Sequence, residues 1–172
     1  MNELAVTVVG RDRPGIVADV SAALAGLQFN LTDSTMTLLR GHFAMTLICV
    51  GEPGVAEVEG ALARLTADGD LVATVREVPG DLGVGGGGTP FTLIVHGADR
   101  LGIVAAITRV LARAGGNITD LTTRLSGSLY LLSAEVDLPP AVDPEELMAE
   151  LDDVAEQLGI DVTLRTAEAD VL

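Results

Sequence analysis

The sequence predicts an α+β fold in which two ferredoxin-like βαββαβ sandwiches follow one another in tandem, each with an antiparallel sheet and both helices on one face. Two observations predict it. The chain repeats itself at an offset of 87 residues (97 minus 10), because GRDRPGIVA at residues 10–18 returns as GADRLGIVA at residues 97–105. Within each copy, strand-like and helix-like hydrophobic periods alternate in the order βαββαβ. One small domain is therefore expected twice in 172 residues.

In the first copy, Val-rich alternating runs indicate four strands, and apolar spacing of three and four residues indicates two helices. The predicted strands are residues 4–10, 30–39, 43–50 and 71–78, and the second helix is predicted at 55–66. The first helix carries an apolar stripe made of Ile16, Val17, Val20, Ala23, Leu24 and Leu27. Pro14 is expected at its first position, because proline's fixed φ suits a helix and its missing N–H would be unpaired there.

The second copy predicts the same order of elements. Its expected strands are residues 91–97, 117–125, 128–137 and 160–165, and its expected helices are residues 102–114 and 143–158. Pro144 starts the last helix, with Glu145 and Glu146 in the first turn, where acidic groups meet the positive end of the helix dipole. The expected domains are residues 1–78 and 91–166, separated by a Gly-rich linker at 79–90 and followed by a loose tail at 167–172.

The strands are apolar on both faces of the predicted sheet. In the first strand, Val6 and Val8 alternate with Ala5 and Val9. A half-exposed antiparallel sheet would instead alternate apolar with polar residues. We therefore expect another copy to cover the helix-free face or an edge of the sheet, and the protein to be a homodimer.

The composition excludes several classes of function. The chain has 25 acidic and 10 basic residues and a formal net charge of −15, so it lacks the basic face that displaces phosphate counterions from nucleic acid. We expect no direct nucleic-acid binding, and any control of transcription would act through a protein partner. The chain has no lysine, which excludes a Schiff-base lysine, a pyridoxal phosphate anchor and the lysine of a phosphate-binding P-loop.

The residues that usually hold metals or perform catalysis are sparse. The single cysteine, Cys49, lies in the apolar run LICV, so we expect a core thiol and no disulfide within the chain. The two histidines, His42 and His96, occupy non-equivalent positions of the repeat, and no spacing matches a metal site. We expect no metal, no cofactor and no catalytic residue. His96, beside the second glycine loop, either lines a site or is a partly buried strand residue.

The N-terminal residues MNEL carry no basic leader. No apolar run reaches the ~18 residues that span a bilayer. These observations predict a cytoplasmic protein without membrane contact.

The loops at residues 10–15 and 97–102 join a strand to a helix and have a specific binding capability. Backbone N–H groups at the helix start are unpaired and lie at the positive end of the dipole, so they can receive a carboxylate. Gly15 and Gly102 lack a Cβ and let a ligand approach the backbone. Asp12 and Asp99 can accept hydrogen bonds from an ammonium group beside that carboxylate, which suits a free amino acid. The alternative is that both aspartates are ordinary helix caps.

Two further residue pairs have open interpretations. Asn30 and Asn117 start the second strand of each copy and offer a donor and an acceptor to a neighbouring domain's loop. Equally, asparagine suits a helix exit, because it tolerates the left-handed conformation. Arg13 and Arg100 either clamp a ligand carboxylate or pair, as exposed arginines, with the many acids.

The chain resembles the ACT domain family in the Asp-Arg-Pro-Gly-Ile run at 12–16, the Asp-Arg-Leu-Gly-Ile run at 99–103 and the asparagine after each helix. ACT modules are small βαββαβ domains that bind amino acids and regulate enzymes or transcription. Two such modules in one chain resemble the glycine cleavage system transcriptional repressor family. In ACT modules the ligand lies between the loop of one domain and the second strand of another, within or between chains. The resemblance therefore implies two sets of ligand contacts, Asp12, Pro14, Gly15 and Ile16 with Asn117, and Asp99, Leu101, Gly102 and Ile103 with Asn30.

The second copy departs from the family pattern at Leu101, where the first copy has Pro14, and at Ala98, where it has Arg11. The leading hypothesis is a non-enzymatic regulatory protein that binds a small amino acid, such as glycine or serine, and changes how its domains or subunits pair. Its partner would be a transcription factor or a metabolic enzyme. The alternative is a constitutive protein-interaction subunit with vestigial ligand sites.

Overall fold

The computed structural model describes residues 1–80 and 87–167. The chain divides into two units, Met1–Gly83 and Val84–Leu172. Half of the predicted linker at 79–90, namely residues 81–86, and all but the first residue of the predicted tail at 167–172 lie outside the described residues. The domain boundaries given above therefore stay predictions.

The first unit has the predicted order βαββαβ. Its elements are β1 (Asn2–Arg11), α1 (Ile16–Gly26), β2 (Asn30–Leu39), β3 (His42–Gly51), α2 (Val55–Thr66) and β4 (Leu71–Glu77). All the strand pairs are antiparallel, in the order β2-β3-β1-β4. Because β1 lies between two other strands, its carboxyl end is central among the strand ends on that side of the sheet. The chain enters α1 from this point.

The second unit repeats this architecture. Its elements are β5 (Thr89–Ala98), α3 (Ile103–Arg113), β6 (Asn117–Ser126), β7 (Leu129–Leu138), α4 (Pro144–Leu158) and β8 (Ile160–Thr166). The sheet order β6-β7-β5-β8 matches that of the first unit. Pro144 begins α4 as predicted, and the Asp143 carboxylate caps it by accepting a hydrogen bond of 2.9 Å from the Glu145 N–H. The fold class is confirmed in both units.

Each unit has its own aliphatic core between the sheet and its two helices. In β1, Leu4, Val6 and Val8 are buried against the helices, whereas the alternate residues face away from them. The α1 residues Ile16, Val20 and Leu24 are buried in the same cluster, and each such side chain stabilises the fold by about 1.5–3 kcal/mol. The predicted stripe is wrong at Val17, which is 43% exposed because it lies at the outer border of the helix face.

At one place in the core, the large and the small residue have exchanged positions between the two units. In the first unit, the Phe29 ring fills the space in front of Gly51, where an added Cβ would come within 2.7 Å of the ring. At the equivalent positions of the second unit, Gly116 leaves the space and the Leu138 side chain fills it. The duplicated cores have therefore exchanged the large and small partners while keeping the fold.

Both outer strands that follow the first helix of a unit carry a β-bulge. The register shifts between Leu31 and Asp33 in β2, and between Ile118 and Asp120 in β6. Because each bulge inserts one extra residue, the side chains that follow it point to the opposite face of the sheet from the face that a regular strand would give them. Asp33 therefore pairs with Ile48, and Asp120 with Glu135, on the helix-free face of each sheet.

Candidate functional site

The first glycine loop is a tight turn that ends at the helix start. Gly15 is the N-cap residue of α1, with φ 89° and ψ −5°. These angles are those of the third residue of a type II turn, a position that strongly favours glycine, and proline is common just before it. The prediction that Pro14 is the first helical residue is therefore wrong: Pro14 lies in the turn, and α1 begins at Ile16. Gly102 repeats the same geometry, with φ 88° and ψ 3° before α3.

Backbone hydrogen bonds hold this loop against the end of the sheet. The Asp12 N–H donates to the Gly41 carbonyl at 3.1 Å, and the Arg11 N–H donates to the Asp70 carbonyl at 2.9 Å. Gly10 permits the second bond, because a Cβ at that position would clash with the Asp70 carbonyl oxygen. In the second unit, the Asp99 N–H donates to the Ser128 carbonyl at 3.3 Å. Both loops are thus positioned by the fold.

The amino ends of α1 and α3 have no side-chain cap. The alternative that Asp12 and Asp99 are helix caps is wrong, because the N-cap residues are Gly15 and Gly102. The first intrahelical bond of α1 runs from the Asp19 N–H to the Gly15 carbonyl at 2.9 Å. The preceding N–H groups of the first turn face the loop, at the positive end of the helix dipole, where a carboxylate is stabilised.

Arg13 has an intramolecular partner. One of its guanidinium nitrogens lies 2.9 Å from the Asp19 carboxylate, and the other donates to the Pro14 carbonyl at 3.3 Å. Of the two interpretations of Arg13, the structure favours pairing with an acid. The first turn of α3 has no acidic residue, so Arg100 lacks the corresponding partner on its helix.

A surface pocket of about 480 Å³ opens onto the amino end of α1. Its wall includes the Asp12 side of the loop, the first turn of the helix and one border of the sheet. The lining residues are Asp12, Arg13, Gly15, Ile16, Val17, Ala18, Ser21, Met36 and Phe43. A carboxylate, a hydroxyl group and free backbone N–H groups therefore meet an apolar wall in one place, which is the arrangement that a small zwitterion requires.

The structure adds Val17, Ser21, Met36 and Phe43 to the residues that the sequence predicts here. The sequence assigns Val17 to the core stripe, and only its partial exposure shows that it lines the pocket. Met36 and Phe43 come from β2 and β3, and their nearness to the helix start depends on the strand order. The repeat contains one signal that could have identified Met36 and Phe43 as pocket residues. Their equivalents in the second copy are the polar residues Thr123 and Tyr130, whereas most other positions on that side of the sheet stay apolar in both copies.

Asn30 lies at the other end of the first unit. It pairs with Val50, which in turn pairs with Glu3 at the start of β1, so about eight residues of strand, roughly 27 Å, separate Asn30 from the Asp12 loop. The structure does not bring these two predicted residues together within one unit. A second surface pocket of about 660 Å³ surrounds Asn30, and its lining residues are Met1, Leu27, Gln28, Asn30, Thr32, Val50, Gly51, Glu52 and Pro53.

Neither asparagine serves as the left-handed residue after its helix. That position is taken by Gln28, with φ 62°, and by its equivalent Gly115, with φ 76°. Asn30 and Asn117 are instead the first residues of β2 and β6. The helix-exit interpretation of the two asparagines is therefore wrong, and their exposed side chains are free to contact a ligand or a neighbouring domain.

The remaining predicted residues differ in burial. Ile103 is buried at the start of α3, as Ile16 is in α1, so both anchor the loop from below. Leu101 is fully exposed at the tip of the second loop. His96 is not partly buried as one interpretation had it: its side chain is 50% exposed on the helix-free face, with Nε2 3.8 Å from the Asp161 carboxylate. Cys49 is buried in the core, where burial raises the pKa of its thiol.

The described residues also bear on metal sites and membrane spans. Within residues 1–80 and 87–167, no three His, Cys, Asp or Glu side chains are grouped so that they could hold a metal ion. In the same part of the chain, no helix has the length and apolar character to cross a membrane.

Comparison with known proteins supplies the class. A family model described as the ACT domain matches residues 2–75 and again residues 90–165. A crystal structure of an unknown protein from Galdieria sulphuraria is 30% identical, with a TM-score of 0.81 over 97% of this chain and 99% of that one. The crystal structure of a putative glycine cleavage system transcriptional repressor has the same fold, with a TM-score of 0.75 and 20% identity over 97% of this chain and 98% of that one.

Shorter relatives match one unit's length. A UPF0237 protein of Listeria innocua is 37% identical over 65 residues, which are 38% of this chain and 73% of the relative. A UPF0237 protein of Methanocaldococcus jannaschii is 39% identical over 72 residues, 41% of this chain and 80% of the relative. The fold, the paired glycine loops and these matches define a protein built from one small α+β module in duplicate. The chain belongs to the ACT domain family.

Proposed function

We propose that this protein is a non-enzymatic regulator that binds a small free amino acid at the Asp12 loop. The observation that supports this proposal most is that Asp12 and the uncapped amino end of α1 line the same pocket. The ligand's carboxylate accepts hydrogen bonds from the first-turn N–H groups, and its ammonium group donates to Asp12. Val17 and Met36, which are 43% and 49% exposed, contact its side chain.

The binding site is completed by a second module, of the same or another chain, through an asparagine at the start of its second strand. Asp12 and Asn30 lie at opposite ends of one unit, so a ligand that contacts both kinds of residue requires two modules. Asn117 serves the Asp12 loop, and Asn30 serves the loop of Asp99 and Gly102. Because ligand binding and module pairing then share contacts, a ligand shifts the pairing equilibrium by a coupling of about 1–3 kcal/mol.

The output of this switch is contact with another protein, either a transcription factor or a metabolic enzyme. The net charge of −15 disfavours direct contact with nucleic acid. Glycine is the first ligand to test, because a structure of the same fold is described as a putative glycine cleavage system transcriptional repressor. Serine is the second, since Ser21 and Asp12 offer partners for a small hydroxyl group in the pocket.

Titration calorimetry with glycine and serine tests this proposal. The double substitution Asp12→Ala with Asn117→Ala should abolish binding at the first loop, because it removes the ammonium acceptor and the second module's amide. Asp152→Ala, on an exposed position of α4, is the matched control for loss of one carboxylate. Unchanged affinity and unchanged stoichiometry in the double variant, with native helix content, would refute the site.

A second candidate function is a constitutive interaction subunit. The fully exposed Leu101 side chain favours it at the second loop, because an apolar tip suits contact with a protein better than a zwitterion. In that case the double variant above keeps its assembly and its partner, and no amino acid stabilises the wild-type chain.

A further inference from the structure

The helix-free faces of the two sheets carry an ordered arrangement of charges. In the first unit, three rows of residues cross the face from β2 through β3 and β1 to β4. The rows are Thr37-Ala44-Val9-Val72, Thr35-Thr46-Thr7-Thr74 and Asp33-Ile48-Ala5-Arg76. The face is uncharged in its centre, and it exposes Val9 by 45% and Val72 by 63%. Opposite charges stand at the two ends of the last row.

The helix-free face of the second unit also has three rows, with different residues. Its rows run from β6 through β7 and β5 to β8. They are Arg124-Leu131-His96-Asp161, Thr122-Ser133-Ile94-Thr163 and Asp120-Glu135-Thr92-Arg165. In all six rows, the residues on the two outer strands are either both uncharged or oppositely charged. The two members of a row's outer pair are three strand spacings apart, about 14 Å, so they do not pair with each other within one sheet.

This pattern has a simple geometric meaning. When two identical sheet faces stack about a twofold axis parallel to the strands, each row lies over the same row of the second copy with its strand order reversed. The outer residue of β2 then lies over the outer residue of β4, and β6 lies over β8. Every outer charge thereby meets its opposite, and every uncharged outer residue meets an uncharged one.

We propose that the helix-free faces are the interface with a second copy of this chain, with like units stacked face to face. Asp33 faces Arg76 of the second copy, Asp120 faces Arg165, and Arg124 faces Asp161. In the first unit, the two uncharged rows, which contain Thr7 and Val9, fill the rest of the interface. In the second unit, Glu135 lies over Thr92 of the second copy, one strand away from its Arg165.

The same rows disfavour stacking of unlike units. If the first unit's face lay on the second unit's face, Asp161 would lie over Thr37, and Arg124 over Val72. Two charges would then be desolvated against uncharged residues, which is costly. The occupant that fits is therefore the same unit of a second copy. This proposal does not depend on the ligand proposed above.

The size of the faces decides how the test is designed. A four-stranded face about 19 Å wide and about 24 Å long covers roughly 460 Å², below the roughly 800 Å² per partner of a standard interface. Two stacked pairs reach that size. Both units are therefore changed at once in each variant.

Charge reversal with complementation tests the interface. The acidic variant carries Arg76→Asp and Arg165→Asp, and the basic variant carries Asp33→Arg and Asp120→Arg. Each variant places like charges over each other in its own dimer, so its dissociation constant should rise by roughly a hundredfold or more. An equimolar mixture restores opposite charges at those positions and should form a heterodimer. Sedimentation equilibrium measures the association, and far-UV circular dichroism confirms that each variant is folded.

The matched control changes the same charges elsewhere. Arg64→Asp with Arg109→Asp alters exposed positions of α2 and α3 and should leave the dimer intact. A monomeric wild-type chain overturns the proposal. So does a dimer that both variants retain, which would place the contact at a strand edge, or a folded pair of variants whose mixture stays monomeric.

Discussion

At the scale of single residues, the left-handed glycines are the features that create the site. Gly15 and Gly102 adopt a conformation that other residues reach only at a cost, and the resulting turn leaves each helix without a side-chain cap. The repeated Asp-Arg-x-Gly-Ile run predicts this loop and its glycine. It does not predict that Pro14 lies outside the helix, because proline suits both the first helical position and the second position of a type II turn.

Gly102→Ala should destabilise the second unit by about 1–2 kcal/mol, because alanine is strained in the left-handed region. An added Cβ there meets no atom within 4 Å, so the effect comes from the backbone alone. Gly60→Ala is the control: it also meets nothing within 4 Å, but it lies in α2 and should stabilise by about 0.5–1 kcal/mol. Urea unfolding measures both. Equal effects of the two substitutions would contradict the assigned backbone strain.

The buried thiol of Cys49 gives a pH prediction. Burial raises its pKa in the folded state above the ordinary value of 9.0, so above that pH the unfolded chain releases the thiol proton more readily than the folded one. The stabilisation is complete below the ordinary pKa and is lost as pH rises through the raised pKa. The free energy of unfolding of the wild type should therefore fall more between pH 8 and pH 10 than that of Cys49→Ala. Parallel pH profiles would contradict it.

At the scale of elements, the sequence predicts every helix and strand that the structure describes. Duplication makes this possible, because an element that is ambiguous in one copy is supported by the other. The pocket wall was less predictable. Met36 and Phe43 reach the α1 start only because β2 and β3 lie on that side of the sheet, and strand order is not encoded in hydrophobic period.

The exchange of core partners between units predicts a compensating pair of substitutions. Phe29→Gly leaves a cavity and should cost about 3–5 kcal/mol, and Gly51→Leu drives a side chain into the Phe29 ring. The double variant reproduces the Gly116 and Leu138 arrangement of the second unit. The double variant should therefore be more stable than the sum of the two single destabilisations predicts. The difference should be more than about 1 kcal/mol, as is typical of coupled residues. Strict additivity in a double-mutant cycle would refute the exchange.

At the scale of the whole molecule, the chain combines two modules whose loops and asparagines lie at opposite ends of each sheet. Composition predicts its acidity and its lack of lysine chemistry, and the repeat predicts two domains. The charge pairing of the helix-free faces was not predictable, because it depends on the bulges that place Asp33 and Asp120 on those faces. The proposed ligand site and the proposed dimer interface occupy different surfaces, so each can be tested without the other.

Thermal unfolding of the full chain in the presence of each of the twenty amino acids tests whether the Asp12 loop binds a small amino acid. A ligand at 100 times its dissociation constant stabilises the folded state by about 2.7 kcal/mol, and each kcal/mol raises Tm by about 2–4 °C at this size. We predict a rise of about 5–10 °C with glycine or serine that Asp12→Ala with Asn117→Ala reduces. An unchanged Tm with all twenty amino acids would refute amino-acid binding at the Asp12 loop.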